Sequence, residues 1–374
     1  MGDFYRRFLL PGFVFQGVTI GGGYATGREL IEFFMPPGPV GGLLGMAVSM
    51  LVFSAVLAAS FELVRLTLSY DYKSFFRLLL GRAWFLFEIA YVLLLVIVLS
   101  VIGAAAGEIL RNTFGLPPLV GTLSLMGVIG LLVFYGSDLV ERATASISIA
   151  LYGAYIGLIA WSLSSFGDQI AAHFANTPVG SGWFTGGIRY AGYNLAGAVA
   201  VFFCIRHAVR PGDALIAGAL AGPIAMLPGL LFFIAMMAFY PDIGSASVPS
   251  SFVLAKLQAP WFEVVFQLIV FGALINTGAP MLHAINERVA KVYEARGRVM
   301  PRALRPVLSL SVMAVSVFAA TAIGLVALIA RGYGWLTWAF IALLVIPVLT
   351  VGIWKIRKLS AAGTAASPAR IQLT

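Results

Sequence analysis

Charged residues are scarce in this sequence, at 10% of 374, while 60% are hydrophobic. An average soluble domain carries roughly 25% charged residues. A chain this poor in charge cannot cover a surface in water, so lipid has to act as part of its solvent. Cysteine is almost absent. The single Cys204 excludes an internal disulfide framework and any multi-cysteine metal site. Lying in an apolar run, it reads as an inert buried thiol. Histidine is limited to His173, His207 and His283, without HExxH or clustered spacing. Paired metal-binding aspartates and a Ser/Lys pair are also lacking, so an intramembrane enzyme has no residues to work with. No motif calls for an organic cofactor. Behind Arg6 and Arg7 comes no A-x-A cleavage site but Pro11, Arg28, Glu29 and Glu32, so this stretch reads as a first membrane segment and not a signal peptide. The formal charge of +9 does not imply nucleic acid, because the basic residues are spread over short loops between apolar runs.

What is present is a series of long apolar runs. A membrane span needs about 20 mainly apolar residues at roughly 1.5 Å each. That ruler predicts ten spans, near 8–34, 40–68, 82–112, 117–136, 141–166, 183–208, 210–240, 260–293, 303–330 and 333–355. The polar, Gly/Pro/Ser-rich stretches 167–182 and 241–258 are predicted as lid-like loops, and 69–81 as a short amphipathic helix on the membrane surface. Residues 1–358 thus form a single membrane domain, with one half over about 8–166 and the other over about 183–355. Residues 359–374, rich in Ala, Ser and Thr, read as a disordered tail. With the N-terminus in the cytoplasm, only Arg28, Arg111, Arg189, Lys256 and Arg331 of the 24 basic residues fall outside or inside the membrane; the other 19 are cytoplasmic. Both termini are therefore expected in the cytoplasm. Short loops suit a bacterial inner membrane.

Two of the spans are anomalous. The first carries Gly21-Gly22-Gly23, flanked by Gly17 and Gly27 and followed by Arg28, Glu29 and Glu32. Each glycine lowers helix propensity by about 1 kcal/mol. Unwound backbone at membrane depth is tolerated where it is buried in protein or lines a wet cavity. A close helix crossing through small residues is the plainer reading of such glycines, but three charges within two turns suit a ligand cavity better. The sixth span repeats the pattern: Gly186, Gly187, Gly192 and Gly197 bracket Arg189, Tyr190, Tyr193 and Asn194. A recurrence five spans later gives two halves of opposite orientation, and paired interruptions of that kind point to the binding site of a secondary transporter.

Ten spans with breaks in the first and sixth resemble the leucine-transporter fold of the amino acid–polyamine–organocation superfamily. The run GGGYATGRELIEFF, Gly21 to Phe34, is similar to the YkvI-type group of amino-acid permeases. The resemblance implies an all-α integral membrane protein with a 5+5 inverted repeat. It further implies a small-molecule substrate bound at the midplane between helices one, three, six and eight, moved by alternating access. Gly21, Gly22, Gly23, Tyr24 and Ala25 then offer N–H groups to a carboxylate, and Tyr193, Asn194 and Leu195 contact the amine or side chain. The fold's common sodium site maps onto the carbonyls of Gly17, Ile20 and Ala273 with the side chains of Asn276 and Thr277. Asn276 departs from the usual hydroxyl but keeps an amide oxygen. Some relatives replace the sodium by a helix-five lysine, which the fifth span here lacks; a second sodium site would need an asparagine where this chain has Tyr24. Arg28 and Arg189 are expected to pair with Glu29 or Glu32 as an extracellular gate, or else with an acidic substrate. Glu29 or Glu32 could instead carry a coupling proton. The expectation is sodium-coupled symport of an amino acid or similar zwitterion; a proton-coupled or uncoupled exchanger and a non-transporting sensor stay open.

Overall fold

Several helices in this chain end at glycine, as at Gly81, Gly115 and Gly324. In the computed structural model, which describes residues 3–363 except 136, 295 and 302, all regular structure among the described residues is helical. After a wide π-helical turn, Tyr5–Leu9, come α1 (Leu10–Thr19), α2 (Gly22–Ala25) and α3 (Arg28–Phe34). Then follow α4 (Gly38–Thr67), α5 (Tyr72–Leu80), α6 (Trp84–Phe114), α7 (Pro118–Tyr135) and α8 (Ser137–Asn176). The second half holds α9 (Trp183–Asn194), α10 (Asp213–Met236), α11 (Pro249–Lys256), α12 (Pro260–Glu294) and α13 (Leu304–Ile323). The last run passes through α14 (Leu325–Ala327), a π-helical turn over Leu328–Tyr333, α15 (Gly334–Phe340), two further π turns, and α16 (Ile353–Gly363).

Six runs among the described residues are long and apolar enough to cross a membrane: Gly38–Thr67, Tyr72–Phe114, Asp213–Phe239, Pro260–Glu294, Leu304–Ile323 and Leu325–Ala361. Pro118–Val133 is a shorter apolar helix. Large apolar side chains stand exposed on these helices, among them Leu51, Leu131, Leu310, Phe318 and Trp335. Exposed apolar surface on this scale needs hydrocarbon to cover it. The chain is an integral membrane protein.

The interior is closed by small residues. α4 packs along α10 and also against α9, while α1 packs on α10. At Gly222 an added Cβ would meet the Ser54 side chain and the Met50 carbonyl, and at Gly42 it would meet Phe233. Close backbone approach of this kind supplies packing where lipid removes the hydrophobic drive between helices.

Four expectations need correction. The ninth and tenth spans divide at Gly324 and not at 331–332. Gly324 has φ 80° and ψ 162°, a conformation only glycine takes without strain. The stretch 167–182 is helical up to Asn176, because α8 continues through a kink at Phe166. The stretch 241–258 contains a 3₁₀ turn, Asp242–Ser245, as well as α11. In the tail, Ser360 to Gly363 continue α16, and 364–374 lie outside the described residues. The amphipathic helix at 69–81 forms as α5. Asp71 caps it by accepting the Ser74 N–H at 2.9 Å. Asp71→Ala is expected to cost about 1 kcal/mol of stability. Asp71→Asn should be close to neutral, with thermal unfolding of the purified protein as the measurement.

Candidate functional site

The first helix breaks where the glycine run begins. Ile20 ends α1 at ψ 72°, and Gly21 is extended at φ −94°, ψ −169°. A second bend follows at Gly27, with φ 83°, before α3. The carbonyls of Gly17, Val18 and Ile20 accept no backbone N–H among the described residues. The opening N–H groups of α2, at Gly22, Gly23 and Tyr24, have no preceding helical turn to bond. A broken helix thus sets carbonyls and N–H groups face to face. α2 is held in place from outside: Tyr155 Oη donates to the Ala25 carbonyl at 2.7 Å, and the Ser250 N–H to the Thr26 carbonyl at 3.0 Å. Gly22 is wedged between Ile102 of α6 and Leu274 of α12.

The sixth span changes pitch without opening. α9 ends at Asn194 and passes into 3₁₀ helix over Leu195–Ala200 and again over Phe202–His207. Backbone groups there are satisfied by i→i+3 bonds, such as Cys204 N–H to the Val201 carbonyl at 2.8 Å. The glycine-rich, polar stretch therefore tightens where unwinding was expected. Cys204 is buried and unpaired by disulfide, as its apolar surroundings suggested.

These two irregular segments meet at one cavity of about 50 Å³. Thr19, Gly21 and Glu29 line it from the first helix, and Tyr193, Asn194 and Gly197 from the sixth. α6 contributes Tyr91, Leu94, Leu95 and Val98, α12 contributes Thr277 and Met281, and Tyr333 completes the wall. Of the residues singled out from sequence, Gly21, Glu29, Tyr193, Asn194 and Thr277 are in this lining. Gly22, Gly23 and Ala25 are buried beside it. The Tyr24 side chain turns away, to the Ala225 carbonyl at 3.4 Å and into the space that a Cβ on Gly229 would fill. Leu195 is fully buried and outside the lining.

The expected sodium ligands are partly gathered. Thr277 Oγ1 lies 3.1 Å from the Ala273 carbonyl, to which it donates. The position of a Cβ on Gly21 would be 3.9 Å from Thr277 Cγ2, so the helix-one break and Thr277 are adjacent. Ile20 is buried at the break, whereas Gly17 is exposed, and neither Gly17 nor the half-buried Asn276 is part of the lining. Thr19, absent from the sequence-based set, brings a further hydroxyl to the same wall.

Of the pairings expected for a gate, one is present. Arg28 pairs with Glu32 at 2.9 Å along one helix face, and donates to the carbonyls of Gly244 and Ala246 at 2.8 and 3.1 Å. Arg189 meets no acid among the described residues; its guanidinium lies 5.4 Å from the Phe33 ring centroid. Glu29 is separate from both. It is 3% exposed, accepts from Tyr193 Oη at 2.6 Å, and forms no ion pair among the described residues. Tyr193 in turn stacks on Tyr333 at 4.4 Å. The π-helical turn over Leu328–Tyr333 presents Tyr333 there, and wide turns of this kind recur at functional sites.

Tyr91, in the cavity wall, also touches a charge cluster that hydropathy did not single out. Arg288 pairs with Glu88 at 2.5 Å and stands 4.5 Å from the Tyr91 ring and 4.4 Å from that of Tyr72 on α5. The pair ties α6 to α12. Arg288→Ala leaves Glu88 half-buried without its cation, and is expected to increase labelling of a cysteine introduced at Met281 by a membrane-impermeant thiol reagent, which reads opening on that side.

No protein-family model matches the chain. It is 23% identical over 278 residues to the uncharacterized membrane protein YkvI of Bacillus subtilis (strain 168), an alignment spanning 74% of this chain and 79% of that protein. Among solved structures, it superposes on MhsT in complex with L-phenylalanine with TM-score 0.56 and 15% identity, over 95% of this chain and 98% of that one. A Na+-coupled sialic acid symporter in a substrate-bound outward-open state gives TM-score 0.53 at 12% identity, over 98% and 96%. The chain therefore has weak sequence similarity to YkvI and shares the leucine-transporter fold.

Proposed function

We propose that this protein is a secondary active transporter that moves an amino acid or similar small zwitterion with sodium by alternating access. The observation that carries the proposal is the meeting of two irregular segments, at Ile20–Gly21 and Asn194–Leu195, on one cavity walled by α6 and α12. Broken or re-pitched helices facing each other at the centre of the fold are how transporters bring backbone dipoles to a solute and an ion. Two proteins of the same fold support the substrate and ion classes: one is seen with L-phenylalanine, and the other is a Na+-coupled symporter.

Residues 1–358 act as one transporter domain of ten spans, arranged as an inverted repeat. The first five are α1–α3, α4, α6, α7 and α8; the second five are α9 with its 3₁₀ extension, α10, α12, α13 and the run from Leu325. Packing supports the pairing. Helix one lies on helix seven (α1 on α10) as helix six lies on helix two (α9 on α4). Helix three lies on nine (α6 on α13) as eight lies on four (α12 on α7). A two-fold relation between halves requires this reciprocity. The distribution of basic residues supports cytoplasmic termini in a bacterial cell membrane.

The sodium ion, as co-substrate, would be held by the Gly17, Ile20 and Ala273 carbonyls with Thr277 Oγ1 and the side-chain oxygen of Asn276, and Thr19 Oγ1 offers a further ligand on the same wall. Purified protein is expected to melt higher with one or more of the twenty L-amino acids in sodium buffer than in choline buffer. Binding to the folded state alone adds about 2.7 kcal/mol at 100 times Kd. Thr277→Ala should remove the sodium requirement of that shift. Equal shifts in both buffers would sink the sodium reading. A proton in place of sodium is the second reading, favoured by Glu29, which is buried in the cavity wall without a cationic partner among the described residues.

A further inference from the structure

Glu29 is the one carboxylate in a cavity wall that holds no lysine, arginine or histidine. A buried carboxylate is costly unless it meets a cation or a proton, and ionisable groups inside a membrane protein mark functional positions by default. Its Oε2 is engaged by Tyr193 at 2.6 Å, whereas Oε1 sits against Gly23. That second contact bears on substrate polarity. Gly23 lies in the first turn of α2, where a substrate carboxylate was expected to dock. When ionised, the Glu29 carboxylate sets a negative charge against that turn and repels a second one.

The nearby cations are committed elsewhere. Arg28 is bound to Glu32 and to two loop carbonyls, and Arg189 lies over the Phe33 ring. The rest of the lining is uncharged: the hydroxyls of Thr19 and Thr277, the Asn194 amide, glycine backbone, tyrosine rings and an aliphatic side that includes Leu94, Leu95 and Met281. Tyrosine faces attract cations through the ring quadrupole.

We infer that Glu29 is an ammonium-binding subsite: the solute is recognised chiefly through a protonated amine docked on this carboxylate, and small amines lacking a carboxylate bind as well. The inference deepens the proposed function and rests on its cavity. Glu29 with Tyr193 fixes the amine, the aliphatic wall takes an apolar substituent, and the solute's own carboxylate is dispensable. The site rejects anions that lack an amine.

The test uses the full-length purified protein and two probe sets: L-leucine, L-leucinamide, 3-methylbutylamine and N-acetyl-L-leucine, and the corresponding derivatives of L-phenylalanine. Ligand-dependent melting is read for wild type and for Glu29→Gln, which keeps the shape and an acceptor for Tyr193. Amides and amines are expected to stabilise the wild type, and N-acetyl acids are not. Glu29→Gln should weaken the ammonium-bearing probes roughly 10- to 100-fold, the range for a hydrogen-bonded charge pair. The comparison of probes on the wild type needs no variant, so it survives a variant that fails to fold. N-acetyl acids binding as tightly as their parents would overturn the inference. Unchanged amine affinity in Glu29→Gln would also overturn it, leaving the carboxylate to a coupling proton. So would folded protein that binds no ammonium-bearing probe. Counterflow of the same probes in proteoliposomes separates the two levels. Amine binding without exchange keeps the subsite and removes transport; exchange of N-acetyl acids keeps transport and removes the subsite.

Discussion

Gly218→Leu is expected to leave almost no folded protein after detergent extraction. A Cβ at Gly218 would fall on the backbone of Ala58 and within 2.6 Å of the Leu57 carbonyl carbon, where α10 crosses α4. Neither atom belongs to a side chain that can turn away. Overpacking a tight core costs about 1–3 kcal/mol when the surroundings can yield, and here two long helices would have to separate. Gly218→Ala is therefore expected to destabilise measurably, and Gly218→Leu to shift the protein to aggregate on size exclusion. Because the collision is with Ala58 N and Cα, Ala58→Gly should not rescue it. A rescue would show that the two helices approach through side chains and that the seam is looser than described.

Gly23→Ala should act on the site and not on the helix seam. The added methyl meets the Glu29 side chain from Cγ to the carboxylate, and a side chain can turn where backbone cannot. Gly23 lies within α2 and has no positive φ, so alanine fits the backbone and adds up to about 1 kcal/mol of helix propensity. Melting of the unliganded protein should fall far less than in Gly218→Leu, because helix propensity partly offsets the lost bond to Tyr193. Ligand binding should fall roughly 10- to 100-fold, as displacement of Glu29 breaks its charge-assisted bond from Tyr193. Two glycines, both closely packed, thus fail differently: one through the fold and one through the site. Equal loss of unliganded stability at the two positions would contradict this division.

Much of the architecture was legible because lipid imposes simple rules. Length and hydropathy place α4, α6, α7, α10 and α12 within a few residues of their observed ends. The first-helix break was readable from three adjacent glycines, since no membrane helix keeps that propensity deficit without a reason. The boundary at Gly324 was not readable, because a lone glycine within the apolar run Ala322 to Leu328 is silent in hydropathy. Arg331 and the glycines beside it drew the boundary instead, yet Arg331 stands exposed on a continuous helical run and can extend its charge to the interface. In the sixth span, glycine and polar content signalled irregularity but not its form; a 3₁₀ segment satisfies the same backbone groups that an unwound one would expose.

Within the candidate site, local pattern found one side of each contact. Glu29, Tyr193 and Thr277 stood out by type and position. Tyr333 and Tyr91 did not, because an aromatic residue in a span is ordinary until its neighbour 140 residues away, or the charge of Arg288, is placed beside it. Arg189 looked in need of an acid, and it rests on an aromatic face that only tertiary packing provides.

The most direct test of solute movement through this cavity is uptake of radiolabelled L-amino acids into proteoliposomes under an inward sodium gradient. The expected result is accumulation above equilibrium for one or more amino acids. It should vanish in choline and fall sharply in Gly23→Ala, with reconstituted protein equal in amount. Folded, reconstituted wild-type protein that neither accumulates nor exchanges any of them would contradict transport, leaving a membrane protein of this fold that binds its ligand without carrying it.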